Sequence, residues 1–401
     1  MKLEPARNAW MTAPETRAVI AALGEGNARF VGGVVRNALL GLDVSDIDIA
    51  TPLVPDEVTR RLQAAGIKTV PTGIEHGTVT AVVDGKPFEI TTLRRDVETD
   101  GRRAVVAFST DWAEDAQRRD FTMNALSAAP DGEVFDSVGG VADLRSGRLR
   151  FVGDASTRIR EDYLRILRLF RFHAWYGKGE IDGEALQASA TLKSGLQALS
   201  AERVQKEMLR LLEADNPMPS LRAMAATGIL SEVLPGPLNL ARLERLVAID
   251  TDNFFPPDAI LRLAALGAGE NLKLSNAQAE RLEDLAGARE KIVSYLSIKE
   301  VRRQLYLLGP KRFRDRVFLK WAQDVKASNA MQWRALLAMA DAWAKPVFPL
   351  TGSNVMNAGV PHGPLVGRVL AEVEEWWIDS DFTDDEFSLA ERLKAVVQAV
   401  V

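Results

Sequence analysis

The sequence predicts an α+β unit built on a small mixed sheet, followed by a remainder that is all helix. Three observations carry this. Short β-like runs at 46–51, 67–72, 77–83 and 87–93 alternate with helical patterns at 14–23, 34–41 and 55–65. Beyond Asp154, apolar residues recur with the 3.6-residue helical period through 154–176, 183–198, 200–213, 218–230 and onward, with few convincing strands. The change of character falls within 136–153. At 401 residues the chain exceeds one ordinary domain, so two or more folding units are expected. No fixed-period repeat or low-complexity tract interrupts either part.

Composition narrows the classes of function. A hydrophobic fraction of 47% with 26% charged residues is ordinary for a soluble globular protein. No run of about 18 apolar residues occurs, so no membrane span is expected. The N-terminal stretch lacks an apolar core of signal-peptide type, which makes the cytoplasm the expected location. The absence of cysteine excludes disulfides and thiolate metal sites. His76, His173 and His362 are too dispersed to suggest a histidine-built metal centre. The formal net charge of −5 hides basic blocks. Residues 296–320 hold eight Lys/Arg, among them Lys299, Arg302, Arg303, Lys311 and Arg312, against two acids. Arginines 145, 148, 150, 158, 160, 165, 168 and 171 form a second block. Each block alone suits a solvated helix face. Two of them flanking a nucleotide-type site favour a polyanionic partner.

In chain order, the first chemical signal is Gly32 to Asp48, GGVVRNALLGLDVSDID. Gly32 and Gly33 let backbone approach a ligand at the start of the helix over 34–41, a position suited to phosphate. Arg36 adds a guanidinium fit for bidentate phosphate contact. Asp46 and Asp48 lie two apart in a strand and so share a face, while Ile47 points into the fold. Two such carboxylates suit magnesium, a hard cation that bridges protein carboxylates and substrate phosphates. An isolated Asp-x-Asp is more often a solvated turn, so the surrounding motifs decide. Helix 55–65 opens with Pro55-Asp56-Glu57, a first-turn signal. On the strand over 87–93, Glu89 is a candidate third carboxylate for a two-metal site; the bland alternative is a surface glutamate. Residues 94–108 are polar and charged, and are expected to form a mobile loop beside the sheet.

Next come Arg118, Arg119, Asp120 and Asn124, a cluster able to neutralise phosphates and bond ribose hydroxyls, or simply to pair locally. On the first long helix, Glu161 and Asp162 stand four and three residues before Arg165, within reach of its guanidinium. If that face lies in a cleft, the trio forms a row of donors and acceptors able to read the edge of cytosine or adenine without a nucleic-acid template.

The order GGVVRN…DID, HGTVTAVV…EITTLR, RRDFTMNAL, FDSVGGVADLRSGRLRFVG and REDYLRILRLFRF resembles the class II tRNA nucleotidyltransferase and bacterial poly(A) polymerase family. Similarity is dense over residues 29–176, with weaker echoes in AERVQKEMLRLL, TGILSEVLP and FPLTGSNVMNAGVPHGPLVG. The resemblance implies a polymerase-beta-like nucleotidyltransferase head over 1–136, a helical neck over 137–205 that selects the base, and a helical body and tail over 206–401 that grips tRNA. It implies metal on Asp46 and Asp48, triphosphate on Gly32, Gly33 and Arg36, and phosphate and ribose on Arg119, Asp120 and Asn124. Asp162 and Arg165 match the amino-acid template for the incoming base, with Glu161 orienting the arginine and Arg168 supporting the site one turn later. Residues 94–108 match the flexible loop associated with the switch from C to A addition, and Phe135–Leu144 matches the hinge between head and neck. One departure is Asn37, where the family usually has aspartate.

The expected activity is addition of C, C and A to tRNA 3′ ends from CTP and ATP, with magnesium promoting in-line attack of the 3′-hydroxyl on the α-phosphate. The alternatives are a poly(A) polymerase of the same family, a CC-only or A-only enzyme, and a catalytically silent RNA-binding protein. No membrane and no protein partner is implied.

Overall fold

The fold was described from a computed structural model covering residues 1–73, 77–96, 106–269, 271–383 and 385–400. The chain divides into two compact units, residues 1–236 with 270–273, and 237–269 with 274–401.

The first unit opens with α1 (Pro14–Leu23), β1 (Arg29–Val31), α2 (Gly33–Leu40), β2 (Ile47–Thr51) and α3 (Pro55–Ala64). Strands β3 (Lys68–Gly73), β4 (Thr78–Val83) and β5 (Lys86–Thr92) follow, then a short pair, β6 (Arg94–Asp96) and β7 (Val106–Phe108). After α4 (Trp112–Gln117) come β8 (Ser127–Ala128) and β9 (Val134–Phe135). Seven strands form one sheet in the order β3-β4-β5-β2-β1-β8-β9. Only β2 and β5 pair in parallel; their neighbours are antiparallel, so the sheet is mixed as expected. Phe30, Ile49, Phe88 and Ile90 are fully buried sheet residues, and α1 and α3 pack against the sheet through Val19, Leu23, Val58 and Leu62. Burying such side chains contributes roughly 1.5–3 kcal/mol each, which is why apolar alternation marks these strands.

The segment 94–108 begins and ends in strand. Its two ends pair as β6 and β7 with Arg94 opposite Phe108. The stretch 97–105, where mobility was expected, lies outside the described residues, as does His76.

Beyond the sheet the unit is helical. It comprises α5 (Gly140–Ser146), α6 (Ala155–Glu161), α7 (Leu164–Tyr176), α8 (Gly183–Thr191), α9 (Ala201–Leu212), α10 (Met218–Ala226) and α11 (Ile229–Val233). The approach of α5 is tight: a Cβ on Gly140 would lie 2.1 Å from the Thr122 carbonyl oxygen, so only glycine fits. Asp136 accepts from the amides of Val138, Gly140 and Val141 and shapes the same turn. The predicted helix over 154–176 is two helices. Asp162 adopts extended backbone (φ −156°, ψ 106°) between α6 and α7. Its carboxylate accepts from the Leu164 amide at 3.1 Å, a local bond that competes with helix continuation.

The second unit contains α12 (Leu240–Asn253), α13 (Ala259–Leu266), α14 (Asn276–Ala286), α15 (Ile298–Trp321), α16 (Ala330–Asp341), α17 (Gly352–Asn357), α18 (Pro364–Asp379) and α19 (Glu386–Val400). Helix α15 is kinked at Gly309-Pro310, the expected effect of a proline lacking its amide donor. Val355, Val369, Val373 and Val396 build one core there, and Tyr306, Trp377, Ile378 and Leu389 another. Arg262, 1% exposed, is held by Asp250 at 2.9 Å. Among the described residues no helix is long and apolar enough to cross a membrane.

Candidate active site

The site begins where β1 turns into α2. Gly32 sits at φ +68°, a conformation that strains other residues, and a Cβ there would come within 3.4 Å of Arg119 Nη1. The first turn of α2 supplies backbone N–H groups that the helix itself cannot satisfy, a natural seat for anionic oxygens. One turn later Arg36 is buried, 7% exposed. Every hydrogen bond it makes goes to a neutral group: Asn124 Oδ1 at 2.6 Å, Asn37 Oδ1 at 2.9 Å and the Tyr176 hydroxyl at 2.9 Å. Its guanidinium also lies 4.1 Å from the Tyr176 ring centroid. Burial lowers the Arg36 pKa, with the neighbouring Tyr176 opposing. An aspartate at 37 would place a full negative charge against Arg36; asparagine keeps the acceptor without the charge, and the acid that acts on Arg36 is Asp120, without a hydrogen bond to it among the described residues.

Asp46 and Asp48 stand at the start of β2, with Asp46 accepting from Ser45 Oγ at 3.0 Å. Asp48 is the register partner of Glu89 on the adjacent parallel strand β5. Burial first, then Glu89, pushes the Asp48 carboxyl up to about 6; Asp46 adds to this and Arg119 opposes it. Crowded carboxylates of this kind, short of positive charge, fit a hard divalent cation. Among the described residues, no group of three or more His, Cys, Asp or Glu converges as a metal cage. Two protein carboxylates completed by phosphate oxygens is the usual magnesium arrangement.

Arg118 and Arg119 follow α4, and both donate to Asp115. Asp120 accepts from Arg168 Nε. Burial would raise the Asp120 carboxyl, but Arg168, Arg165 and a hydrogen bond with Asn124 hold it below the usual range. Arg168 is correspondingly raised by Asp120 against its own burial.

Helix α7 turns one stripe toward the site: Arg165, Arg168, Phe172 and Tyr176 recur at three- and four-residue intervals. Glu161 accepts from Arg165, which also donates to the Arg158 carbonyl at 2.6 Å. The expectation that Asp162 shares that guanidinium is corrected. The extended backbone at Asp162 turns its carboxylate away from the helical register, and it pairs with Arg203 of α9 at 2.7 Å. Helix α9 presents Arg203 and Arg210 seven residues apart, with Glu207 between them binding Arg171 at 2.5 Å.

These residues enclose one cavity of about 620 Å³, within the range of small-molecule sites. Its wall includes Gly32, Gly33, Arg36, Asp46 and Asp48, together with Arg119, Asp120, Asn124, Asp162, Arg165 and Arg168. Among the described residues, eight arginines face four aspartates there, with no lysine and no glutamate. Glu89 and Glu161 lie outside the wall and act on Asp48 and Arg165 from behind. Sequence reading missed Arg203, Arg210 and Tyr176. The heptad spacing of the two arginines was legible, but nothing local marked which face of α9 meets α7.

The basic block of the second unit is largely self-paired. Arg302 binds Asp381, Arg303 binds Glu375 and Asp379, and Arg312 lies 3.8 Å from Glu280 and Asp284. Lys299 and Lys311 are exposed and have no ion-pair partner among the described residues.

Residues 28–150 match the family described as Poly A polymerase head domain, and residues 180–239 the family described as probable RNA and SrmB-binding site of polymerase A. The chain is 32% identical to the mitochondrial CCA tRNA nucleotidyltransferase 1 of Mus musculus, over 91% of this chain and 86% of that one. It is 34% identical to the CCA-adding enzyme of Streptococcus pyogenes serotype M2, over 91% and 93%. Among solved structures, the CCA-adding enzyme of Bacillus stearothermophilus in complex with CTP superposes with a TM-score of 0.75 at 28% identity, covering 96% of each chain.

Proposed function

The chain belongs to the family of CCA tRNA nucleotidyltransferases, the CCA-adding enzymes, and on that premise we propose that it adds C, C and A to tRNA 3′ ends from CTP and ATP with release of pyrophosphate. The single observation that carries this reading is the shared cavity. Asp46 and Asp48 at the start of β2, the glycine corner, Asp162 and Arg165 line one space in which, among the described residues, arginines outnumber aspartates two to one. A nucleoside triphosphate has the matching parts: three anionic phosphates, a ribose and a base with donors and acceptors on its edge.

Each residue then has a role. The first turn of α2, Arg36 and Arg119 hold the phosphates and fix the α-phosphate against the incoming hydroxyl. Asp120 and Asn124 face the ribose, and Arg168 keeps Asp120 ionised. Asp162 accepts from the exocyclic amino group of cytosine or adenine, and Arg165 donates to ring acceptors, so the protein replaces a nucleic-acid template. Uracil and guanine present a carbonyl where Asp162 needs a donor. The family's divalent metal, which we assign as magnesium on Asp46 and Asp48, would supply positive charge to the reacting phosphate and lower the pKa of the attacking hydroxyl. Glu89 acts on this pair through Asp48.

We assign catalysis to the head (1–136), base selection to the neck (137–205) and tRNA grip to the body and tail (206–401). The match of 180–239 to an RNA-binding family supports an RNA contact beginning in the neck. A cytoplasmic location accompanies this reading. The deciding experiment gives purified protein a tRNA transcript ending before CCA, with magnesium and CTP, ATP or both. Ordered addition of three nucleotides is the expected product. A long A ladder would instead assign poly(A) synthesis, and stalling after two C residues a CC-only enzyme. Asp46→Ala or Asp48→Ala should abolish incorporation while tRNA binding persists; activity retained in both variants would refute the metal assignment.

A further inference from the structure

Beside the cavity, but not in its wall, stands a carboxylate to which the chemistry above gives no task. Asp115 lies in α4 and is 3% exposed. Its Oδ1 accepts from Arg118 Nε at 2.9 Å and Nη2 at 2.6 Å, and from the Arg94 amide at 3.1 Å. Its Oδ2 accepts from Arg119 Nε at 3.1 Å and Nη2 at 2.9 Å. Each oxygen thus grips one guanidinium by its Nε–Nη2 edge. Both arginines line the cavity, and Arg119 Nη1 lies beside Gly32.

We propose that Asp115 is the positioning residue for phosphate recognition. It holds Arg118 and Arg119 side by side so that their remaining Nη1 donors meet the triphosphate. Two adjacent guanidiniums repel, and each long free side chain samples many rotamers. A shared, buried carboxylate removes both obstacles before substrate arrives and leaves one net positive charge for the phosphates. Through the Arg94 amide, the same carboxylate also fixes the point where β5, which carries Glu89, passes into β6. This rests on reading the cavity as the nucleoside triphosphate site.

The test uses the full chain carrying Asp115→Asn, which keeps the shape but turns an amide N–H against one guanidinium. Binding of CTP, inorganic tripolyphosphate and cytidine is measured, together with steady-state addition to tRNA lacking CCA. CTP and tripolyphosphate should weaken on the order of tenfold while cytidine is unchanged, as befits loss of oriented charge-assisted bonds. KM for CTP and ATP should rise more than kcat falls, and Asp115→Glu should restore part of the loss. Equal weakening of cytidine and CTP, or no weakening of either, would overturn the proposal. Should Asp115→Asn fail to fold, Arg119→Lys keeps the charge and removes the two-pronged grip. It must show the same split between tripolyphosphate and cytidine, and its absence would equally overturn the proposal. Wild-type protein that binds neither CTP nor tripolyphosphate would instead refute the reading of the cavity itself.

Discussion

Asp162 shows how much one residue's backbone can decide. Read as part of a continuous helix, it would share Arg165 with Glu161. Its extended backbone hands it to Arg203 and leaves Glu161 and Arg165 as a separate pair. The base-reading acceptor and the base-reading donor are therefore held by different partners, on different helices. Removing the donor should leave the acceptor in place. Arg165→Ala is accordingly expected to retain incorporation but to blur the choice of nucleotide, raising UTP or GTP use relative to CTP and ATP by about tenfold, in line with 1–3 kcal/mol for a bidentate base contact. Unchanged discrimination in single-nucleotide assays would refute the template role. Asn37 works in the opposite sense, by what it withholds: hydrogen-bonded to neutral groups, Arg36 is not tied to an acid on its own helix.

At the scale of elements, much of the site comes from junctions, β1 into α2, the start of β2, the turn after α4, and the break between α6 and α7, while the faces of α7 and α9 complete the wall. The turn before α5 braces one of these from behind. Gly140→Ala would drive a methyl group into the Thr122 carbonyl, directly beside the Arg119–Asn124 motif. We expect a loss of about 2 kcal/mol, the usual cost of overpacking, visible as a lower denaturation midpoint. A midpoint unchanged within error would show that the turn relaxes freely. These junctions also explain what was legible beforehand. Glycine pairs, paired aspartates and strand alternation report on local geometry, so the mixed sheet and the cavity's glycines and aspartate pair could be read from the chain, and the ordered motifs of the family resemblance singled out its further members such as Arg119, Asp162 and Arg165. The short strands β1, β8 and β9 were missed because two or three residues carry no period. Arg203, Arg210 and Tyr176 depend on how α7 and α9 face each other, a tertiary fact with no local signature.

For the whole molecule, charge and protonation are the accessible handles. His173 is 6% exposed, with Nε2 facing the Gly179 carbonyl at 3.1 Å and Nδ1 facing Ser220 Oγ at 2.8 Å, an arrangement that suits the neutral ring. Burial lowers its pKa below the ordinary 6.5, with the Gly179 bond opposing. A depressed folded pKa contributes stability that is complete above about pH 6.5 and lost as pH falls from there through the folded value. Denaturant midpoints should therefore fall between pH 7.5 and 5.5, and fall less in His173→Gln; equal losses would clear His173 of this role. In the second unit, Arg302 and Arg303 pair with acids, and Lys299 and Lys311 are the block's exposed lysines without an ion-pair partner among the described residues. If they meet tRNA phosphates, the double variant Lys299→Ala/Lys311→Ala should lower the slope of log K against log salt by about 2. An unchanged slope would place the RNA contacts elsewhere.

The excess of arginine over aspartate in the cavity reaches beyond substrate recognition. Phosphate, sulfate and pyrophosphate offer the same oxygens to the same donors, so they are expected to compete with nucleotides for this site. Nucleotide affinity is then a property of the protein together with its surroundings. A phosphate buffer and a Tris buffer would return different KM values from one preparation.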